Sequence, residues 1–349
     1  VQQKDVYPVV LQPRTFVLSS GLESMIMDDV VSWLETRHRR PQHTLAVNNR
    51  LEPILIFRDN SHAPYGGDIV YAFQFGNVWI KRPLTSWGGY PSFLFDRNNV
   101  GHFCYDGNGT GEDLRYAQFV NGRWFGQRID TSPSVGLDND LALDQQDKVH
   151  ISYFSWAANR VKYASNNTGG WRVEDLAPAG WHQTSIATDL ENKAHVLSVT
   201  PNAQINYLTN MSGQWAGGVI AAGTNPVIRR DRQGDMPGVF HRGGLQPGVK
   251  NGSTWNLESL PSIGGLYEGN RLSFEIDGNN KLMICYLSGG RDSLYLMTNH
   301  SGQWKEHRLD NGGNWANPRI TIDNQNTIHL LGARQGKVHY LRFTPSQLP

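Results

Sequence analysis

The stretch VHISYFSWAANRVKYASNNTGGW, residues 149–171, decides the fold. Val149, Ile151 and Tyr153 alternate with His150 and Ser152, which is the two-residue period of a half-buried strand. A short bend at 156–159 leads to a second alternating run, and Gly169-Gly170 turns the chain towards Trp171. The same pattern returns along the chain. Trp79, Trp124, Trp171, Trp215, Trp255 and Trp304 are spaced by 45, 47, 44, 40 and 49 residues. Tyr71, Tyr116, Tyr163, Tyr207 and Tyr295 precede five of them by eight or nine, and Tyr340 continues the Tyr series. Before each Tyr, a short strand closes on an aspartate: Asp96, Asp144, Asp189, Asp231, Asp277 and Asp323, with Asn48 as the earliest member. A period of roughly 40–50 residues with four short strands per unit is that of a β-propeller blade.

Seven such units predict an all-β fold: a seven-bladed β-propeller with four antiparallel strands per blade. The last unit lacks an outer strand, and an N-terminal strand from residues 1–18 is expected to complete it and close the ring. The expected organisation is one domain over 1–349, with blades in 43–344 and an insert at 19–42. Ser20 and Glu23 have capping-box spacing, and Leu22, Met25, Ile26, Val30, Trp33 and Leu34 suit one helical face. That pattern predicts a helical insert lying over the loop-rich face.

Composition narrows the classes of function. The hydrophobic fraction is 38%, and thirty-seven Gly, thirteen Tyr and eleven Trp suit a turn-rich all-β chain. A formal net charge of +1 carries no nucleic-acid footprint. No apolar run approaches the roughly 18 residues of a membrane span. The chain starts without Met or a signal-like segment, as a processed product or an excised domain would, and export is the expectation. Cys104 and Cys285 fall in different blades and read as buried thiols. Neither a metal nor another cofactor is implied, and a monomer is expected. Sequons begin at Asn108, Asn166, Asn210, Asn251 and Asn299.

Residues that repeat lie on different blades and cannot converge on one ligand. His102, His150, His195 and His329 share one repeat position and read as structural, as do the turn aspartates and the Tyr and Trp series. Departures from the repeat are where function is sought. The loops between first and second strands and between third and fourth strands are short and alike. The loops between blades and between second and third strands are long and dissimilar, and propeller topology sends these two sets to one face. They carry Trp87, Tyr90, Trp156, Trp181, His182, Tyr267, Trp315, His62, His241, Arg58, Arg242 and Arg291, and the insert adds Arg40. Aromatic platforms mixed with Arg and His fit a sugar: an apolar ring face to stack, and hydroxyls or carboxylates to bond. Arg229 and Glu275 are charged at one innermost-strand column on neighbouring blades, where a pair is expected.

YPSFLFDRNNVGHFCYDGNGTGEDLRYAQFVNGRW, residues 90–124, resembles the BNR-type seven-bladed propellers among carbohydrate-active enzymes. The nearest in pattern are the polysaccharide lyases acting on ulvan and on rhamnose–glucuronate linkages. The specific part is a pair of histidines about twenty residues apart in one blade, followed by a Tyr-Pro that opens the next. The resemblance implies β-elimination at a uronic acid, with His43, His62 and Tyr90 moving protons. It also implies an acidic polysaccharide or oligosaccharide as partner, its carboxylate neutralised by Arg. Where that arginine would fall the chain has Asp106, leaving Arg58 or Arg40 for the role. A non-catalytic glycan-binding propeller and a protein-interaction platform are the alternatives.

Overall fold

The computed structural model describes residues 9–11, 14–28, 43–59, 68–76, 78–86, 88–107, 113–180, 183–251, 254–258, 260, 272–287, 293–335 and 337–349. The fold is all-β: seven blades of four antiparallel strands in a ring. Blade 3 shows the plan, with strands Val135–Leu143, Val149–Ser155, Arg160–Ser165 and Arg172–Pro178 hydrogen-bonded in chain order. Its second strand is wholly buried and its fourth almost wholly exposed, as expected of strands packed within and at the rim of a sheet stack. The chain divides into two compact units, residues 1–99 with 269–349, and residues 100–268.

The turn between first and second strands has one chemistry throughout. Asp144 Oδ1 accepts from the N–H groups of Gln146 and Lys148 at 2.8 and 2.9 Å. Asp189, Asp231, Asp277 and Asp323 repeat both bonds. Asn48 does the same in blade 1, at 2.9 Å to Arg50 and Glu52. A short side-chain acceptor bonding its own turn is what makes Asp and Asn turn formers. The hairpin between third and fourth strands is tied back similarly. Asn166, Asn210 and Asn299 accept from the N–H groups of Val149, Ala194 and Leu282 at 2.7–2.8 Å. Three of the five sequon asparagines are therefore hairpin caps.

The N-terminus departs from expectation. The strand that completes blade 7 is Glu23–Asp28, inside the region read as a helical insert, and it pairs with Lys337–Phe343. Arg14–Val17 adds a fifth strand outside it, and Val9–Leu11 pairs instead with Val78–Thr85 of blade 1. Ser20 caps no helix. Leu18 N–H donates to Leu22 O at 2.9 Å around a hairpin turn with Gly21 at φ 86°. Leu22 and Met27 are buried in cores that strand alternation reaches as readily as helical spacing does. The ring-closing residues are 23–28, not a strand within 1–18; residues 29–42 lie outside the described residues.

Candidate functional site

The repeated histidines are fastened at both ring nitrogens. His150 Nδ1 lies 2.6 Å from Tyr163 Oη and its Nε2 lies 3.2 Å from Asp144 Oδ2. His195 repeats this with Tyr207 and Asp189 at 2.6 and 2.9 Å, and His329 with Tyr340 and Asp323 at 2.6 and 3.1 Å. Burial holds His195 and His329 below the ordinary imidazole pKa, although the neighbouring carboxylates oppose it. Burial pushes Tyr163, Tyr207 and Tyr340 well above the ordinary phenol value. Each tyrosine then packs against the Trp of the next blade: Tyr116 on Trp171 at 5.0 Å, Tyr163 on Trp215 at 4.9 Å and Tyr207 on Trp255 at 5.5 Å. Tyr340 of blade 7 meets Trp79 of blade 1 at 5.5 Å, across the seam of the ring. These groups are architecture.

The dissimilar loops do meet on one face within each unit. In residues 100–268, Trp156 N–H donates to Ser134 O at 2.8 Å and Ala179 N–H to Asn159 O at 3.0 Å. Gly223 N–H donates to Ala203 O at 2.9 Å. Each bond joins a loop between blades to a turn between second and third strands. Gln335 N–H makes the equivalent bond to Gly313 O, at 3.1 Å, in the other unit.

That face divides the candidate residues sharply. Trp156 stands 57% exposed at the turn after Val149–Ser155, its ring edge-on to the buried Phe154 at 6.4 Å. Arg242 is exposed at the matching turn of blade 5, and His241 just before it is buried at the end of Pro237–His241. His43 is only 1% exposed, and its Nε2–H donates to Asn317 O at 2.7 Å. Tyr90 is buried, with φ 49°, in the left-handed region that an aromatic residue seldom occupies. Arg58 is half-buried on the second strand of blade 1. Trp315 is fully buried, its indole N–H donating to Asp310 Oδ2 at 2.9 Å; it packs the core and offers no face to a ligand. Arg40, His62, Trp87, Trp181, His182, Tyr267 and Arg291 lie outside the described residues.

Two buried carboxylates escaped the sequence reading. Asp130 accepts from Lys162 Nζ at 2.6 Å, Tyr153 Oη at 2.8 Å and Ser132 Oγ at 2.6 Å. Burial opposes its ionisation, but these bonds prevail and bring its pKa down to about 2. Asp310, at the same repeat position, takes Arg334 Nε at 3.0 Å, Trp315 and the N–H of Ser19. A signal existed: both lie in the last two residues of a fourth strand, as RID and RLD, where blades 1, 3 and 4 carry Thr85, Ala177 and Ala221. Arg229 has Asp140 beside it at 3.4 Å, a carboxylate two blades away that also accepts from Ser185 Oγ at 2.6 Å. Among the described residues, no group of three or more His, Cys, Asp or Glu side chains is arranged to hold a metal ion. No helix there is long and apolar enough to cross a membrane.

The chain is thus a seven-bladed β-propeller with a differentiated loop face. No protein-family model matches the sequence, and no curated protein matches it. Solved structures do resemble the fold. A lectin from Burkholderia pseudomallei superimposes with a TM-score of 0.61 at 13% identity, covering 88% of this chain and 99% of that one. The lectin of the fungus Aleuria aurantia, a six-bladed propeller that recognises fucose, gives 0.56 at 11% identity over 79% and 97% of the two chains. The intramolecular trans-sialidase of Ruminococcus gnavus gives 0.50 at 10% identity over 88% and 95%.

Proposed function

We propose that this chain is a glycan-binding propeller that holds its ligand at the loop face without cleaving it. The observation that carries the reading is Trp156, more than half exposed on a hairpin of a rigid blade and seated on Phe154. An indole fixed in this way offers a flat apolar surface to the C–H face of a sugar ring. Arg242, exposed at the matching turn of blade 5, favours a ligand bearing carboxylates. The lectins among the structural neighbours accord with this use of the fold. The proposal includes export, since acidic glycans of this kind are met outside the cell.

The lyase reading has less support. A base must reach the substrate proton, whereas His43 is sealed and its Nε2–H is committed to a backbone carbonyl. Binding of neutral and acidic oligosaccharides by array and calorimetry, with Trp156→Ala alongside, tests the proposal. Trp156→Ala is expected to weaken binding about tenfold, or about 1.4 kcal/mol, with the melting temperature kept. Unsaturated uronate appearing in the ultraviolet on incubation with ulvan would favour the lyase. Undiminished binding by Trp156→Ala would remove the platform.

A further inference from the structure

The hairpin that closes the ring, Arg14–Val17 with Glu23–Asp28, is the part of the scaffold added to blade 7 from the far end of the chain. Beside its strand pairing and its apolar contacts with blade 7, two of its side chains meet one histidine. His339, on Lys337–Phe343, is 1% exposed, and its Nδ1 lies 2.8 Å from Ser24 Oγ. Phe16 of the hairpin sits edge-on to the imidazole at 6.0 Å, and Trp315 sits edge-on from within blade 7 at 5.4 Å. Hairpin and ring thus seal each other. Removing the hairpin takes away both Phe16 and Ser24 and lets water reach the imidazole.

The charges around this ring are unequal. Arg334 faces it from the second strand of blade 7, and its guanidinium also lies 4.4 Å from the centre of the Phe16 ring. Lys337 bears on it from its own strand, and Asp310 from the fourth strand of blade 6. Asp310 is the only carboxylate among these groups, and it is already engaged by Arg334, Trp315 and the N–H of Ser19. A second cation in this dry site would be poorly compensated.

We propose that His339 is an acid sensor for the ring-closing hairpin: protonating its ring releases residues 14–28 from blade 7 while the rest of the propeller stays folded. The linkage sets the sign and the size. Burial first, then Arg334 and Lys337, hold the sealed imidazole down at about 4, against an ordinary 6.5 once released. The released form therefore binds the proton more tightly, so opening is favoured as pH falls below 6.5 and the effect saturates near 4. A gap of about 2.5 pKa units caps the change in the opening equilibrium at about 300-fold, of which about 30-fold is reached by pH 5.

Hydrogen exchange of the intact chain, corrected for the intrinsic rate at each pH, reads this opening. Peptides spanning 14–28 are expected to lose protection about 20-fold between pH 7 and pH 5, while the second strands of blades 3 and 4 keep theirs. His339→Gln, which keeps a polar side chain beside Ser24 but cannot take up a proton, is expected to abolish that dependence. Ser24→Ala leaves the titrating ring in place, and is expected to raise opening at every pH while keeping the dependence. Flat protection across the range in the wild-type chain overturns the proposal, as does a pH response that survives in His339→Gln. If His339→Gln does not fold, an imidazole resonance of His339 titrating near 6.5 in the closed wild-type protein overturns it equally.

Discussion

Replacing Lys162 by Met removes the cation from a buried pair and leaves its carboxylate in place. Asp130 is 6% exposed and Lys162 8%, with 2.6 Å between Nζ and Oδ2. The fall of the Asp130 pKa from 3.8 to about 2 means its surroundings favour the ionised form by about 2 kcal/mol at neutral pH. Tyr153 and Ser132 remain after the substitution, but two hydroxyls and one N–H cannot replace an ammonium in a dry site. Breaking a buried pair from one side costs about 3–5 kcal/mol. At roughly 2 cal/mol/K of unfolding entropy per residue, that lowers the melting temperature of a chain this long by about 4–7 °C. The pH dependence identifies the cause. Asp130 has a depressed pKa, so its contribution is complete above its unfolded pKa near 3.8 and is lost as pH falls through about 2. Thermal melts of the two proteins are thus expected to converge between pH 4 and pH 2. The double variant with Asp130→Asn should recover most of the loss at pH 7. A Lys162→Met deficit that persists unchanged at pH 2, or a double variant worse than the single, would refute the electrostatic account in favour of packing.

Two further outcomes follow from the scaffold. Tyr163→Phe deletes the hydroxyl that His150 Nδ1 meets at 2.6 Å, and should cost about 1–3 kcal/mol in denaturant melts while leaving glycan affinity unchanged; a loss of affinity without a loss of stability would contradict the structural reading of His150. Cys104 and Cys285 are buried and form no disulfide, and burial raises the Cys285 thiol, so neither should react with a thiol reagent until the chain unfolds. Prompt labelling of the native protein would contradict their place in the core.

Much of this fold was legible because one sentence is written seven times. A turn Asp closing a short strand, then His or an apolar residue, then Tyr, then Trp, carries both the strand period and the blade period. The N-terminal closure was not legible for a physical reason. Leu22, Met25 and Ile26 satisfy helical and strand spacing alike over so short a span, and what separates the two is the partner strand Lys337–Phe343, more than 300 residues away. The Ser20-Gly21 pair was the local turn signal. Among site candidates, Trp156 and Trp315 look the same in sequence, each an aromatic in an irregular loop. They differ because Gly332, in the strand beside Trp315, leaves room for the indole to fold inward: a Cβ there would meet the Trp315 ring at 3.0 Å. Trp156 follows Ser155 at the tip of a hairpin and stands exposed there.

The scaffold also tolerates departures from its own repeat, which is why its loops can diverge. Blade 6 has Met283 where blades 2, 3, 4 and 7 have histidine, so the imidazole that meets the turn aspartate in blades 3, 4 and 7 is missing there. His300, in the neighbouring hairpin, takes the place from the other side, with Nδ1 at 3.0 Å. Blade 5 has Pro237 at the same position, and beside it Gly238, over which Trp255 lies within 3.1 Å of where a Cβ would stand while still packing on Tyr207 of blade 4. In blade 6 the compensation is local, and in blade 5 the contact that couples it to blade 4 survives. The seam is held by the same kind of contact, Trp79 on Tyr340, so blade 1 meets blade 7 much as interior blades meet each other. Register is thus carried by turn, His, Tyr and Trp, all on strands or on the uniform face. The loops on the other face contribute backbone hydrogen bonds to one another, which almost any sequence can make. A face that stability does not constrain is free to be shaped by a ligand, and Trp156 stands on that face.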